Sequence, residues 1–597
     1  MWSFRQGIAG VLVLALASCQ TPAAVATASA LPGAQPTASG HGLAASSLDA
    51  HAAYAAIQAM QAGGNAVDGA VAASAMIGVT APYTCGIGGG GFLLIYLARE
   101  NHVVTLDHRE TAPEAITPTA FLDSDGRPIP HSEQVTSGLS VGVPGLVRGW
   151  EMALSHYGRL TLADDLEPAI QVADEGFAVD ATLAAETASN AGRFRAFTST
   201  SDLFLAGDGA LRAGSIFRNP DLANAYRLLA RDGARAFYEG PIAQAIVDTV
   251  RNPPLAPGAR LRVRPGLMQL SDLTDYEALI RAPVVSRYRD VTVYGMDLPS
   301  SGGPTVALAL NLLDGFDLAS MSRPAALHRL IEAERLSFAD RNAYMADPAF
   351  VQAPLGGLLS SAYAAERRQH IGERAAGGRV APGDPSPFDD HGSVPFGPGR
   401  SAGREGTSTT HITVADGEGN VVAYTCTIEE IGGSGIAVPG YGFLLNNELT
   451  DFDDVPSGPN APDGHKRPRS SMSPTLVFRD DQPLLALGSP GGPTIITTVL
   501  QVLVNVLDFG MDLPSAVAAP RLSQRNLAAT AAEPALSSSP EGRSLEALGH
   551  HFINEGVLGA VTGIAFNADG SRTAVAEPRR LGGGAALVVE PPPPGCR

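Results

Sequence analysis

Gly406-Thr407-Ser408-Thr409-Thr410-His411-Ile412-Thr413-Val414 is the stretch whose reading decides the fold. A threonine hydroxyl inside a chain is a poor nucleophile, because it does not ionise near neutral pH. Cutting the peptide bond before Thr409 changes this by placing an α-amine beside the hydroxyl. Such an amine titrates near pH ~8. Much of it is free base at neutral pH, and it can take the hydroxyl's proton. A threonine that carries its own base is a self-sufficient catalytic unit.

The residues after Thr409 give that unit a scaffold. Thr409 to Ala415 alternates polar and apolar residues, as a strand buried on one face does. Asp416-Gly417-Glu418-Gly419-Asn420 is turn chemistry, and the β-branched run Val421 to Ile428 reads as the returning strand. A three-residue loop closed by Asp416 and Asn420 puts Thr427 opposite Thr409, with Cβ atoms about 5 Å apart and the two hydroxyls in reach. A two-residue loop instead opposes Cys426 to Thr409 and turns Thr427 to the other face. Both registers are open to the sequence.

At these residues the chain resembles the gamma-glutamyltransferase (gamma-glutamyltranspeptidase) family of N-terminal-nucleophile hydrolases. The similarity runs through Thr409-Thr410-His411, Gly419-Asn420-Val421-Val422-Ala423 and Thr425-Cys426-Thr427. It continues in Gly442-Phe443-Leu444-Leu445-Asn446-Asn447-Glu448-Leu449-Thr450-Asp451-Phe452, Arg467-Pro468-Arg469-Ser470-Ser471-Met472-Ser473-Pro474 and Gly488-Ser489-Pro490-Gly491-Gly492. Earlier matches are Gly63-Gly64-Asn65-Ala66-Val67-Asp68, Gly88-Gly89-Gly90-Gly91-Phe92, Arg109-Glu110-Thr111-Ala112-Pro113 and Val143-Pro144-Gly145, so the motifs fall in order from about Ala44 to about Gly584.

The resemblance implies an α+β fold, a four-layer αββα sandwich formed jointly by a large and a small subunit after self-cleavage between Ser408 and Thr409. It implies Thr409 as nucleophile, Thr427 as its hydrogen-bond partner and the amides of Gly491 and Gly492 as oxyanion hole. Arg109, Ser470 and Ser471 would hold the α-carboxylate of a glutamyl donor, and Glu448 and Asp451 its α-amine. A guanidinium fork suits a carboxylate, acids suit an ammonium, and glycine amides approach an oxyanion without a Cβ in the way. The implied partners are a gamma-glutamyl donor such as glutathione and an amino-acid, peptide or water acceptor, with no cofactor and no metal.

Two departures matter. Glu429 stands where the family usually has an asparagine at the amino-acid end of the donor. An ionised carboxylate there favours the ammonium and repels the α-carboxylate, which weighs against strict gamma-glutamyl specificity. The linker from Asp453 to His465 is short where many members carry a lid loop. Together they keep open an acylase acting on glutaryl or cephalosporin-type side chains. A third reading, an exported binding protein without turnover, is opposed by the intact Thr409, Thr427, Gly491, Gly492 and Arg109.

The N-terminus bears on compartment. Arg5 precedes an apolar run from Ile8 to Ala17, too short to span a bilayer and built like a signal peptide's core. Leu16-Ala17-Ser18-Cys19 resembles a bacterial lipobox, which would make Cys19 the lipidated first residue. The competing reading is an ordinary signal peptide with an incidental cysteine. Residues 1–18 are thus expected as signal, 19–39 as an Ala/Thr/Pro-rich tether, 40–408 as the large subunit and 409–597 as the small one. The expected location is the periplasm, at the outer membrane through the lipid alone.

Composition narrows the classes further. The 597-residue chain carries a formal net charge of −19 with 17% charged residues, which disfavours nucleic-acid binding. Besides Cys19 the cysteines are Cys85, Cys426 and Cys596, whose spacing suggests no metal site, and a chain this large needs no disulfide framework.

Helices are expected over Asp49–Ala62, Asn65–Val79, Leu146–Tyr157, Leu327–Met345 and Thr494–Leu507, with strands at Phe92–Ala98 and Val103–Asp107. Ala375 to Ser408 reads as a structureless Gly/Pro-rich segment beside which a chain can be cut. Gly138-Leu139-Ser140-Val141-Gly142 matches the nucleophile elbow of another hydrolase fold but competes with an ordinary glycine loop. Gly88 to Gly91 lacks the Lys-Ser/Thr of a phosphate loop. His411 shares a strand face with Thr409, although a buried, hydrogen-bonded histidine explains it equally well. Glu332, Glu334, Arg335 and Asp340 read as an ion-paired helix face.

Overall fold

The hairpin closes around the three-residue loop. In the computed structural model, which describes residues 35–205, 209–389, 406, 408–579 and 582–590, the Asp416 amide donates to the Asn420 carbonyl at 3.0 Å. Asp416 Oδ1 accepts from the amides of Glu418 and Asn420 at 2.9 and 3.0 Å. Thr410–Ala415 then pairs antiparallel with Val421–Thr427, Thr410 opposite Cys426 and Ala415 opposite Val421. Both strands are buried throughout rather than on one face. Ile412 and Val414 pack towards helices, while Ala415, Val421 and Ala423 pack towards a second sheet.

Among the described residues two seven-stranded antiparallel sheets form the middle layers. One runs Ala585–Val589, Leu43–Ser47, Thr410–Ala415, Val421–Thr427, Gly90–Leu97, His102–Asp107, Leu279–Arg281. The other runs Thr37–Gly40, Arg572–Ala576, Thr562–Phe566, Gln482–Gly488, Thr475–Arg479, Val291–Gly295, Val284–Tyr288. Ala50–Gln61, Ala66–Thr80 and Leu146–Tyr157 cover the first sheet, and Gly302–Leu313 and Thr494–Leu507 cover the second. This is the αββα sandwich, and each sheet mixes strands from before and after residue 408.

Local chemistry sets the helix ends. The Asp49 carboxylate accepts the Ala52 amide at 2.7 Å, and Asn65 forms a reciprocal capping box with Asp68. Leu146–Tyr157 and Thr494–Leu507 have the expected bounds.

Four expectations need correction or limits. The last residues of the expected tether are part of the sandwich, because Thr37–Gly40 pairs with Arg572–Ala576 and Gln35 bridges Ala586. The rest of that tether to residue 34, the signal peptide and Cys19 lie outside the described residues, as does Cys596. The segment expected to be structureless is anchored at its start. The Val380 amide donates to Asn526 at 2.8 Å and Gly378 O accepts from Arg335 at 2.6 Å; residues 390–405 and 407 lie outside the described residues. The fourth correction concerns the cysteines, since Cys85 and Cys426 form a disulfide. Their 341-residue separation hid the contact.

Candidate active site

The hairpin register brings the two threonines together. Thr409 Oγ1 donates to Thr427 Oγ1 at 3.1 Å, and Thr427 Oγ1 also accepts the Glu429 amide at 2.8 Å. A Cβ on Gly89 would lie 2.1 Å from the Thr427 carbonyl oxygen, which is why glycine is needed just before the neighbouring Gly90–Leu97 strand. The chain is continuous from Ser408 into Thr409, whose φ is +126°. Few β-branched residues adopt that region, and it costs on the order of 1–3 kcal/mol. Ser408 is tied down, its hydroxyl donating to the Tyr83 carbonyl at 3.0 Å and its amide to the Glu429 carbonyl at 3.2 Å.

Beside the threonines lies a cluster of opposite charges. Arg109 sits just past the His102–Asp107 strand, its amide donating to Asp107 Oδ1 at 3.0 Å. Its guanidinium pairs with Glu448 and, at 2.5 Å, with Asp451. Burial works against that charge, but the carboxylates of Glu448, Asp451 and Glu110 more than offset it and hold Arg109 above its ordinary pKa. Glu448–Asp451 is a short 3₁₀ turn. Asn446 orients it, accepting the Glu448 amide at 3.0 Å while its own NH₂ donates to Gly88 O and Gly142 O.

Glu429 is 3% exposed and has φ +81°. One carboxylate oxygen accepts the Gly406 amide and the other the Asn447 side-chain amide. Burial first, then the nearby Asp451, Glu430 and Glu448, push its pKa well above the ordinary carboxyl range.

Ser470 and Ser471 close another side. Ser471 Oγ accepts from Arg341 at 2.8 Å and Ser470 Oγ accepts the Met472 amide at 3.1 Å. Arg109, Gly406, Thr409, Thr427, Glu429 and Glu448 line one cavity, together with Asp451, Ser470, Ser471 and Gly492, and it has about 20 Å³ of open volume. That is room for roughly one water. Gly491 stands just outside it. Gly491 and Gly492 have φ +127° and +54°, and a Cβ on Gly491 would lie 2.5 Å from Thr494 Oγ1. They lead into the Thr494–Leu507 helix, whose N-terminus favours negative charge.

Arg109, Thr409, Thr427, Glu429, Glu448, Asp451, Ser470 and Ser471, all named from the sequence, meet at this cavity; Asn446, Asn447, Arg341 and Tyr83, which had no role there, hold them and Ser408 in place. The Asn-Asn pair before an acidic turn was the available signal. A contact through the Tyr83 backbone leaves none.

The distractors resolve as structure. His411 is fully buried, bonds Thr425 Oγ1 at 2.7 Å through Nδ1, and is pushed down to about 3 by burial. Ser140 donates to the Ser137 carbonyl at 3.1 Å in a buried turn. Glu332, Arg335 and Asp340 are ion-paired but buried, Arg335 to Glu332 at 3.3 Å and Asp340 to Arg367 at 2.9 Å, and buried Glu334 accepts the Gln524 amide at 2.8 Å. His328, Glu332 and His550 bring ligand atoms within 4.8 Å of one another. These donors already have protein partners: His328 bridges His550 and the Gly372 carbonyl at 2.8 and 2.9 Å, and Glu332 takes Arg335. Among the described residues no helix is long and apolar enough to cross a membrane.

The chain is similar to the glutathione hydrolase proenzyme of Bacillus subtilis (strain 168), 38% identical over 524 residues and 87% of each chain. An acylase ACY 1 proenzyme of Pseudomonas sp. (strain V22) is 35% identical over 533 residues, 88% of this chain and 90% of that one. Among solved structures, a cephalosporin acylase from Bacillus halodurans has a TM-score of 0.81 at 27% identity, covering 94% of this chain and 98% of that one. The Gamma-glutamyltranspeptidase family model matches residues 52–587, and the chain belongs to that family.

Proposed function

We propose that this chain is a proenzyme that cuts itself between Ser408 and Thr409. It then hydrolyses or transfers the acyl group of gamma-glutamyl amides, glutathione among them, through an ester on Thr409. In the first stage Thr409 Oγ attacks the Ser408 carbonyl, the peptide C–N bond breaks as an ester forms, and water releases a chain ending at Ser408. The strained Thr409 backbone and the ties on Ser408 support this stage. In the second stage the freed α-amine takes the hydroxyl proton while Thr427 orients the oxygen. Thr409 Oγ attacks the gamma-carbonyl, and the amides of Gly491 and Gly492 receive the oxyanion. The leaving amine departs with a proton from the same α-amine, and water, an amino acid or a peptide then takes the acyl group.

One observation carries the substrate class. A buried guanidinium and two buried acids, Arg109 with Glu448 and Asp451, share the cavity of Thr409. A zwitterionic α-amino acid can exchange into that set with every charge still paired: its carboxylate replaces the acids on Arg109 and its ammonium takes the acids. A glutaryl group, lacking the ammonium, leaves two acids without their cation, at a cost of several kcal/mol. Glu429 and the short linker after Phe452 support the acylase alternative.

The small cavity and the bond from Gly406 to Glu429 fit a precursor whose own segment occupies the donor's place. Export, with Cys19 lipidated and the enzyme held at the outer membrane from the periplasm, completes the proposal. The test is intact-mass analysis of purified protein alongside turnover of gamma-glutamyl and glutaryl anilides. Two chains meeting at Ser408/Thr409 and preference for the gamma-glutamyl anilide are expected; full activity of an uncut chain would falsify the mechanism.

A further inference from the structure

Cys85 and Cys426 lie on opposite sides of the proposed cut. Their disulfide joins Cα atoms 5.7 Å apart, and both residues are fully buried in the core between the first sheet and its helices. Cys426 immediately precedes Thr427 on its strand. Cys85 lies two residues after Tyr83, whose carbonyl accepts the Ser408 hydroxyl at 3.0 Å and the Gly432 amide at 2.9 Å.

We infer that the Cys85–Cys426 disulfide is a covalent staple between the large and small chains of the processed enzyme, fixed one residue from the nucleophile's hydroxyl partner. The inference rests on the cut proposed above. In the uncut chain the bond closes a loop; once residues 408 and 409 part, it links one chain to the other.

Formation needs an oxidant. The two thiols release two protons and two electrons to the disulfide of a dithiol oxidoreductase in the exported compartment, which leaves reduced. Persistence needs shielding. A thiolate must reach a sulfur to exchange with it, and here both sulfurs are beneath packed side chains. That matters for an enzyme whose proposed substrate, glutathione, is itself a thiol: the folded protein keeps the staple in its substrate's presence. The staple also changes what unfolding means. Two unlinked chains separate on denaturation and must find each other again, whereas linked chains stay at high effective concentration.

The experiment denatures the purified full-length protein in the presence of an alkylating agent, which caps every free thiol, and records intact mass with and without reductant. One species without reductant and two with it, meeting at Ser408/Thr409, with a linked peptide pair containing Cys85 and Cys426, is expected. Two separate chains without reductant, carrying alkylated Cys85 and Cys426, overturn the staple and leave the cut standing. A single chain in both conditions overturns the cut, and the staple with it. In a Cys85→Ala/Cys426→Ala variant the chains should separate in denaturant alone, and refolding should slow in proportion over an about 100-fold dilution that leaves the wild type unaffected. Chains that stay joined in that variant place the link elsewhere and overturn the assignment. Should the variant not fold, the wild-type masses decide.

Discussion

Glu429 is bonded twice to the segment that precedes Thr409: its carboxylate accepts the Gly406 amide, and its carbonyl accepts the Ser408 amide at 3.2 Å. The side chain expected from the sequence to face a donor therefore holds the uncut chain's own backbone. Glu429→Ala should slow the appearance of the two chains, followed by mass against time after refolding, whereas Glu429→Gln keeps an acceptor and should cut at a rate closer to wild type. Equal rates in all three would show that the grip on Gly406 plays no part in cutting.

In the processed enzyme proposed above, the same carboxylate faces the donor. Glu429→Asn should raise kcat/KM for gamma-glutamyl amides by a few-fold up to about tenfold, the effect of removing one poorly placed charge. An unchanged or lower ratio assigns Glu429 to favourable donor binding instead.

The raised pKa of Glu429 gives the uncut chain a pH signature. Its folded pKa lies well above the ordinary carboxyl value, so the folded state binds more protons than the unfolded one. Stability therefore falls as pH rises from the unfolded pKa towards the folded one, by at most about 1.4 kcal/mol per pH unit for one group. Other buried acids add their own slopes. Comparing thermal melts of Thr409→Ala with Thr409→Ala/Glu429→Gln from acid to neutral pH isolates this one, and the double variant should show the shallower fall.

Arg109→Lys keeps the charge and loses the planar fork. Donor KM should rise, with a loss of about 1.5–3 kcal/mol for a charge-assisted pair. Since Glu448 and Asp451 both use that fork in the resting site, stability should drop too. Unchanged KM would remove Arg109 from carboxylate recognition.

Gly491→Ala puts a Cβ 2.5 Å from Thr494 Oγ1 at φ +127°. Movement of this loop should lower kcat about 10²- to 10³-fold, as loss of an oxyanion donor does, with KM little altered. A rise in KM with kcat unchanged contradicts the proposed role.

The sequence was most legible where structure is local. The hairpin and its Asp416–Asn420 turn were legible, while the register opposing Thr427 to Thr409 stood as one of two until the strands were placed, and Asp49 and Asn65 marked helix starts through their own side chains. Readings that depended on distant partners did less well. Glu332 and Asp340 have helix-surface spacing, yet Arg335 and Arg367 let them be buried as pairs. Thr37 to Ser39 resemble linker until Arg572–Ala576 supplies a partner strand. Cys85 and Cys426 meet through the packing of a loop against a strand, which no spacing rule encodes.

The mixing of strands within the sheets has a last consequence. Thr410–Ala415 and Val421–Thr427 lie between Leu43–Ser47 and Gly90–Leu97, while Thr475–Arg479 pairs with Val291–Gly295. Neither product of a cut at Ser408 owns a whole sheet, and either one made alone would present raw strand edges to solvent and to other copies. Cutting can therefore create a new chain end only after the architecture is finished, so assembly from separately synthesised halves should be slower and lose more chain to aggregation than folding of the single uncut chain.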